Sequence, residues 1–103
     1  MTSQQFSPSF CAQRLKVLAD PSRWAILNLL LDGSKYVWEL NEILALEQSL
    51  LSHHLRILRQ QGLVQAQRDG KAVLYSLAPD VRVRSGDGFN LGCCVLSLKD
   101  NCR

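Results

Sequence analysis

The stretch that decides the fold is Gln48–Gly70, which reads QSLLSHHLRILRQQGLVQAQRDG. Four of its residues fall at i, i+3, i+4 and i+7 and therefore share one face of a predicted helix: Leu51, His54, Leu55 and Leu58. The opposite face carries short polar or cationic side chains: Ser49, Ser52, His53, Arg56 and Arg59. One face of the helix is suited to a hydrophobic core. The other offers hydroxyl, imidazole and guanidinium groups to a polar partner.

A hairpin is predicted directly after this helix. Gly62 is a natural left-handed helix stop, and residues 63–68 then alternate apolar and polar side chains. Asp69-Gly70 is a strong signal for a tight hairpin turn, and residues 71–77 return as a second strand. A helix followed by a hairpin with Arg68 and Lys71 near its tip is the outline of a winged helix-turn-helix. We therefore predict a mainly α fold with a β-hairpin wing.

The residues before Gln48 predict three further helices. The first covers residues 10–19, and the second begins at Asp20-Pro21, an N-cap aspartate followed by a proline at the first helical position. The second helix is expected to end near Leu31 and to bury Ile26, Leu27 and Leu30. Residues 34–36 are expected to be a connector, and residues 37–44 a short third helix. The chain is thus divided into a flexible N-terminus (1–9), the winged helix-turn-helix (10–79) and a cysteine-bearing tail (80–103).

Composition and charge limit the classes of protein to consider. At 103 residues with 47% hydrophobic residues, the chain has the make-up of one small globular domain. No apolar run approaches the roughly 18–20 residues of a membrane span, and no secretion signal is visible, so we expect a cytoplasmic protein. The net charge is +3, but Leu51–Arg84 holds six cations and two acids, a net charge of +4. The basic excess lies on the predicted helix and wing, where contacts to phosphate would be made.

The polar face and the wing tip supply the candidate DNA-binding residues. Gln48, Ser49, Ser52 and His53 have the side chains that read base edges in the major groove. Arg56, Arg68 and Lys71 are candidates for phosphate contacts. Other interpretations are an N-cap role for Ser49, solvated surface charges for the three cations, and a buried structural role for His54. Trp24 and Trp38 are expected to be packing residues.

The chain resembles the ArsR/SmtB family of bacterial winged-helix repressors. Three segments carry the resemblance: LADPSRWAILNLL (Leu18–Leu30), LEQSLLSHHLRILRQQGLV (Leu46–Val64) and RDGKAVLYSLAP (Arg68–Pro79). The resemblance implies a non-enzymatic homodimer that binds palindromic operator DNA without a cofactor. It also implies an inducer, commonly a soft metal ion or arsenite, that lowers DNA affinity.

Two features depart from the family pattern. Members that sense metals through the third helix carry Cys-x-Cys where this chain has Tyr36-Val37-Trp38. Members that sense zinc through a last dimerisation helix carry paired histidine and acidic ligands there, and the tail of this chain has no histidine. Neither of these metal sites is therefore expected here.

The cysteines remain as candidates for sensing an inducer. Cys93 and Cys94 are adjacent, and Cys102 follows in the same tail, which resembles the vicinal pair plus third cysteine of some arsenite-responsive family members. Three thiolates suit a soft, pyramidal ion such as arsenite, with Cys11 as an alternative third thiol. The tail, Asn90–Leu98, is expected to be extended and to pack on the first helix of its own chain or of a partner, at the dimer interface.

Three other interpretations of the sequence stay open. Two of the thiols of Cys93, Cys94 and Cys11 could instead form a peroxide-sensitive disulfide, which would make the protein a redox-sensing repressor. The same cysteines could be small packing residues at a dimer interface. A winged helix used only for protein contacts is the further alternative, and it would not show salt-dependent binding to DNA. A thiol enzyme is disfavoured because no phosphate loop or pocket-forming sheet is predicted.

Overall fold

The computed structural model describes residues 8–84 and 86–97 of the chain. Its elements, in chain order, are α1 (Pro8–Leu18), α2 (Pro21–Leu31), β1 (Lys35–Tyr36), α3 (Val37–Leu44), α4 (Gln48–Gln60), β2 (Val64–Asp69), β3 (Ala72–Leu77), β4 (Gly88–Asn90) and β5 (Val95–Ser97). Four helices with a strand hairpin after the last of them confirm the predicted winged helix-turn-helix. The described part of the chain contains no helix long and apolar enough to cross a membrane.

The second helix begins where the sequence predicts. An Asp20 carboxylate oxygen accepts hydrogen bonds from the backbone N–H of Ser22 (2.8 Å) and of Arg23 (3.2 Å), so two of the unpaired N–H groups at the start of α2 are satisfied. Pro21 occupies the first turn, where its missing N–H costs nothing. The helix buries Ile26, Leu27 and Leu30, as expected from their spacing.

The wing belongs to a three-stranded antiparallel sheet with strand order β1-β3-β2. The expectation of a plain connector at residues 34–36 was wrong, because Lys35 and Tyr36 pair with Tyr75 and Leu74 of β3. The short strand was missed because two residues carry no periodic pattern, and only the neighbouring β3 makes them a strand. The helix stop at Gly62 is confirmed by its φ of 75°. This sheet joins the wing directly to the start of α3.

The tail forms a second hairpin rather than a helix. β4 and β5 pair antiparallel, with Phe89 opposite Leu96. Phe89 and Leu91 are fully buried, and the Phe89 ring meets Trp24 of α2 edge-to-face with centroids 5.6 Å apart. An Arg14 guanidinium nitrogen of α1 donates to the Leu91 carbonyl at 3.3 Å. The tail is thus extended and packs on α1 and α2 of its own chain.

The hydrophobic core lies between the helices, the inner side of β3 and this tail. It is built from aliphatic residues of α1, α2, α3 and α4 together with Leu63, Tyr75, Phe89 and Leu91. β2 contributes only Val64 and is otherwise exposed, because it forms the outer edge of the wing. The core therefore holds α4 from one side and leaves its other side and the wing free to contact a partner.

Candidate nucleic-acid interface

The fourth helix presents its two faces as its sequence predicts. Leu51, Leu55 and Leu58 are at most 2% exposed, and they anchor the helix to the core. The polar side chains of the opposite face are all exposed: Gln48, Ser49, Ser52, His53, Arg56 and Arg59. A sharp turn at Ala45, whose φ is 54°, leads from α3 into this helix. The helix is thus fixed on its apolar side while its polar side stays accessible.

The Ser49 hydroxyl is not used to start the helix. The N-cap residue is Glu47, and Ser49 lies inside the first turn, where its hydroxyl donates to a Glu47 carboxylate oxygen at 3.5 Å. The alternative of an N-cap role for Ser49 is therefore wrong. The hydroxyl keeps an exposed position on the polar face.

His53 and Arg56 form an exposed pair one helical turn apart. An Arg56 guanidinium nitrogen lies 3.4 Å from Nδ1 of His53, so the imidazole accepts a hydrogen bond at this nitrogen and orients the guanidinium. Both side chains point away from the core. They offer a positive charge and an imidazole from the same part of the helix surface.

His54 belongs to a buried polar cluster beneath α4, as the structural interpretation predicts. It is 6% exposed, its Nδ1 lies 3.5 Å from an Arg23 guanidinium nitrogen, and its Nε2 lies 3.9 Å from an Asp20 carboxylate oxygen. Burial lowers the pKa of His54, against the attraction of Asp20, and the nearby Arg23 and His53 lower it further. Because a guanidinium can only donate, a neutral His54 accepts at Nδ1 and carries its proton on Nε2, facing Asp20.

The wing tip carries both of its predicted cationic residues on the surface. Asp69 pairs with Ala72, so Gly70 and Lys71 form a two-residue loop, in which only Gly70 has a positive φ (65°). A positive φ at the first loop residue alone fits a type II′ turn. The turn is thus shifted by one residue from the predicted Asp69-Gly70, because Asp69 ends β2 and Lys71 lies in the loop rather than in β3. Arg68 lies just before the turn, and both cationic side chains are exposed. Their charges therefore project beyond the core of the domain.

The wing is also fixed from the side of α3. The Tyr36 hydroxyl donates to an Asp69 carboxylate oxygen at 2.6 Å, and this hydrogen bond raises the pKa of Tyr36. The Tyr36 backbone N–H donates to Glu39 at 2.8 Å, which secures the first turn of α3. The end of β2 is thus tied to the residue that precedes α3.

An open concavity of about 930 Å³ lies between α3, α4 and β3. It brings together four of the seven predicted DNA-binding residues: Gln48, Ser52, Arg56 and Lys71. Ser49, His53 and Arg68 are exposed but are not among the residues that line it. Arg59 and Trp38 line it and were not predicted as site residues. The helical spacing signals Arg59, which follows Ser52 by seven residues.

Trp38 corrects one expectation and Trp24 confirms another. Trp24 is a packing residue, in contact with the buried Phe89. Trp38, expected to pack, is 61% exposed and stacks on the Tyr36 ring, with centroids 6.3 Å apart and planes 11° apart. Periodicity assigns a large aromatic residue to the core by default, and no sequence signal distinguishes this one. The side chain of Arg82 is exposed, and its guanidinium donates to the Leu30 and Leu31 carbonyls at the end of α2.

The disulfide bond does not join cysteines that are adjacent in the sequence. Cys11 of α1 is disulfide-bonded to Cys93, with Cα atoms 5.9 Å apart and a sequence separation of 82. Cys94 is a free, half-buried thiol, and Cys102 lies outside the described residues. Within residues 8–84 and 86–97, no group of three or more His, Cys, Asp or Glu side chains is arranged to hold a metal ion. In this disulfide form Cys93 has no thiolate to offer a soft ion.

Comparisons with known proteins agree with this architecture. Residues 20–66 match the family described as "Bacterial regulatory protein, arsR family". The HTH-type transcriptional regulator NmtR of Mycobacterium tuberculosis is 47% identical over 66 residues, which are 64% of this chain and 55% of that protein. The chain thus spans little more than half the length of NmtR. Reduced HlyU of Vibrio cholerae is 36% identical with a TM-score of 0.68, over 76% of this chain and 82% of that one.

A second similar structure adds a description of assembly. It is a possible ArsR-family regulator from Mycobacterium bovis, 31% identical, with a TM-score of 0.64 over 68% of this chain and 65% of that one. Its structure is described as a homodimeric winged helix-turn-helix DNA-binding domain. The relatives named here are regulators rather than enzymes. Residues 20–66 match the family, and the chain shares its fold with HlyU over about four fifths of that protein. We conclude that this chain belongs to the ArsR family of bacterial regulatory proteins.

Proposed function

We propose that this protein is a transcriptional repressor that binds operator DNA through the exposed face of α4 and the wing. The observation that carries this proposal is that all seven predicted DNA-binding residues are exposed, five on one helix and two beside the wing turn: Gln48, Ser49, Ser52, His53, Arg56, Arg68 and Lys71. A helix of this kind fits the major groove, and a cationic hairpin tip fits the neighbouring phosphates. The outer face of α4 is mainly polar, whereas a protein-interaction module would favour an apolar outer face.

The DNA-binding unit in this proposal is a homodimer. A single α4 reads only a few base pairs, whereas a two-fold dimer places two such helices about 34 Å apart, one turn of the duplex. The M. bovis relative is described as homodimeric. Leu15 of α1 and Val95 of β5 are 42% and 58% exposed, which provides apolar surface on the side of the cysteines for a second copy. Palindromic operator sequences would follow from the two-fold symmetry.

Binding to DNA is tested with duplexes from the region upstream of the protein's own gene. Ser52→Ala is expected to weaken binding to the preferred duplex more than to random DNA, because it removes a group near base edges. Arg68→Ala should weaken both alike and reduce the slope of log K against log salt by about 1. Gln13→Ala, an exposed change on α1, serves as the control. Wild-type protein that binds no duplex at low salt would disprove the proposal and favour the protein-interaction alternative.

Release of the operator is proposed to be controlled by the cysteines. In the reduced chain, Cys93, Cys94 and Cys102 would supply three thiolates to arsenite or another soft ion, with Cys11 as an alternative third ligand. This donor set fits only after reduction, because the Cys11–Cys93 bond removes one of the thiolates. Such an inducer would be a regulatory ligand and not a cofactor for DNA binding.

The disulfide favours a second candidate, a repressor that senses oxidation. Peroxide oxidises one thiolate to a sulfenic acid and is itself reduced, and the second thiol then displaces water to form the disulfide. Cys11 and Cys93 are placed for this reaction, with Cα atoms 5.9 Å apart. The two candidates share Cys93, so one protein cannot use both chemistries at the same time.

One titration separates the two candidates. Reduced protein bound to its duplex is titrated with arsenite, with zinc and with hydrogen peroxide, while free thiols are counted. Cys94→Ser should abolish release by arsenite and leave release by peroxide intact, because Cys94 is not part of the bond. If Cys102 is the third arsenite ligand, Cys11→Ser should abolish release by peroxide and leave release by arsenite intact. Unchanged release in both variants would remove the cysteines from the mechanism.

A further inference from the structure

The concavity between α3, α4 and β3 has an uneven charge. Arg56 and Arg59 of α4 line it from one side, and Lys71 of the wing lines it from the other. Glu42 of α3 is the one acidic residue in this lining, so three cations and one acid give it a net charge of +2. A partner with regularly spaced negative charges is therefore complementary to it.

Trp38 gives the same concavity an exposed aromatic wall. It is 61% exposed, the highest exposure among the large apolar side chains of the described residues. Its ring lies nearly parallel to that of Tyr36 in an offset stack, with centroids 6.3 Å apart, so the indole has an aromatic neighbour within its own domain. Ile43, on the same helix, is 55% exposed but does not line the concavity. An exposed indole beside three cations suits a partner that alternates apolar and anionic groups.

The aromatic pair is also connected to the wing. Tyr36 stacks on Trp38 with its ring and donates its hydroxyl to Asp69, two residues before Lys71. Pairing of β1 with β3 adds backbone hydrogen bonds between the same regions. The distance between the indole and the wing tip is therefore set by a short series of direct contacts. Tyr36 is placed to position the wing without needing to touch a partner.

We propose that this concavity binds one phosphodiester strand of the operator as it passes between α4 and the wing. Trp38 packs its ring against deoxyribose and directs its indole N–H toward a phosphate oxygen, while Arg59 and Lys71 neutralise phosphates on either side. A phosphodiester strand alternates apolar sugar faces with single negative charges, which matches the indole beside the cations. This inference rests on the proposed function, since it assigns further residues to the same DNA complex. Tyr36 acts as a positioning residue for the wing.

The experiment compares Trp38→Ala with Ile43→Ala, a matched exposed change on the same helix. We expect Trp38→Ala to weaken binding to specific and random duplexes alike by about tenfold, which burial of roughly 50 Å² of indole surface would supply. The salt slope should not change, because no charge is removed. Arg59→Gln should weaken binding and reduce the slope by about 1. Ile43→Ala should bind as wild type does.

Two further measurements distinguish a direct contact between Trp38 and DNA from an effect of the substitutions on folding. In a Trp24→Phe background Trp38 is the sole tryptophan, and its fluorescence should become shielded from acrylamide when the duplex binds. Tyr36→Phe retains the stack but loses the bond to Asp69, and faster hydrogen exchange in the wing should accompany its weaker binding. Wild-type affinity for Trp38→Ala, or a Trp38 that stays open to acrylamide in the complex, would overturn this inference while leaving the proposed function intact. Wild-type protein without DNA binding would overturn the proposed function itself.

Discussion

The Cys11–Cys93 bond leads to the prediction that reduction destabilises the fold substantially. The bond joins α1 to the loop between β4 and β5 and closes a ring across a sequence separation of 82. It therefore constrains nearly the whole described chain in the unfolded state. Cys11→Ser, or reduction of the wild type, removes this constraint without deleting a large buried side chain.

The expected magnitude follows from the length of the closed ring. For a separation of 82, loop-closure entropy gives a stabilisation of about 4.5 kcal/mol at 25 °C. For a domain of this size, a loss of that order lowers the melting temperature by roughly 20–30 °C. Phe89 and Leu91 remain able to pack in the reduced chain, so the hairpin is expected to stay docked in the folded state. The figure is an upper estimate, because a compact unfolded chain loses less entropy on cross-linking.

The assay is urea unfolding, with and without reductant, of three proteins. Wild type should lose stability on reduction, and Cys11→Ser should match reduced wild type under both conditions. Cys94→Ser is the control, because its thiol is not part of the bond, and it should respond to reductant as wild type does. Peptide mapping of unreduced protein should find Cys11 linked to Cys93.

Two results would refute this reasoning. One is an unreduced wild type whose urea midpoint equals that of Cys11→Ser. The other is a peptide map in which Cys93 is linked to Cys94 or Cys102 in the folded protein. Either result would also weaken the redox candidate, because that candidate depends on the same pair of sulfur atoms.

Three further predictions concern the buried cluster and the second hairpin. Since the pKa of His54 is lowered from 6.5 by folding, the unfolded chain takes up a proton at higher pH than the folded protein. The urea midpoint should therefore fall as the pH drops through 6.5. His54→Gln should make the urea midpoint less dependent on pH in this range. Desolvation alone raises the pKa of Asp20. The hydrogen bonds that it accepts from two backbone N–H groups, together with the neighbouring positive charges, lower this pKa overall from 3.8. The stability that Asp20 contributes should therefore be lost only as the pH falls below 3.8. Asp20→Ala should cost about 1 kcal/mol in urea unfolding at pH 7 through loss of the helix cap. Gly88→Ala should destabilise the β4–β5 hairpin, because its Cβ would overlap the Leu96 carbonyl oxygen; hydrogen exchange should rise there and not in α4.

The features that sequence alone predicted are those set by local rules. The two faces of α4, the cap at Asp20 and the existence of the hairpin after α4 each depend on residues within a few positions of one another, although the turn itself lies one residue later than Asp69-Gly70. They could be predicted because the periodic pattern of α4 and the local turn chemistry indicate the same fold. The polar face of α4 can therefore be predicted from the sequence, whereas its position relative to the wing depends on tertiary structure.

The features that sequence alone missed or left open are those created by tertiary contact. The sequence leaves the partner of Cys93 open, with Cys11 among the candidates. Cys94 is the nearest thiol to Cys93 in the chain, yet the bond goes to Cys11 because the hairpin docks on α1. β1 exists only because β3 passes beside Lys35 and Tyr36. Exposure of Trp38 likewise follows from the way α3 meets the wing. None of these arrangements leaves a pattern at helical or strand spacing.

The contacts beneath α4 give a physical reason why the cysteines and the DNA-binding face can belong to one mechanism. Near the end of α1, the helix that holds Cys11, the Val17 carbonyl accepts a hydrogen bond from Arg23 Nε at 2.8 Å. The same guanidinium reaches His54 Nδ1 at 3.5 Å, on the inner face of α4. Because His54 is buried in this cluster, a shift of α1, were breaking the bond to Cys93 to cause one, would change polar contacts that are expensive to leave unmade. Arg23 thus connects the helix that holds Cys11 to the inner face of the helix whose outer face is proposed to meet DNA.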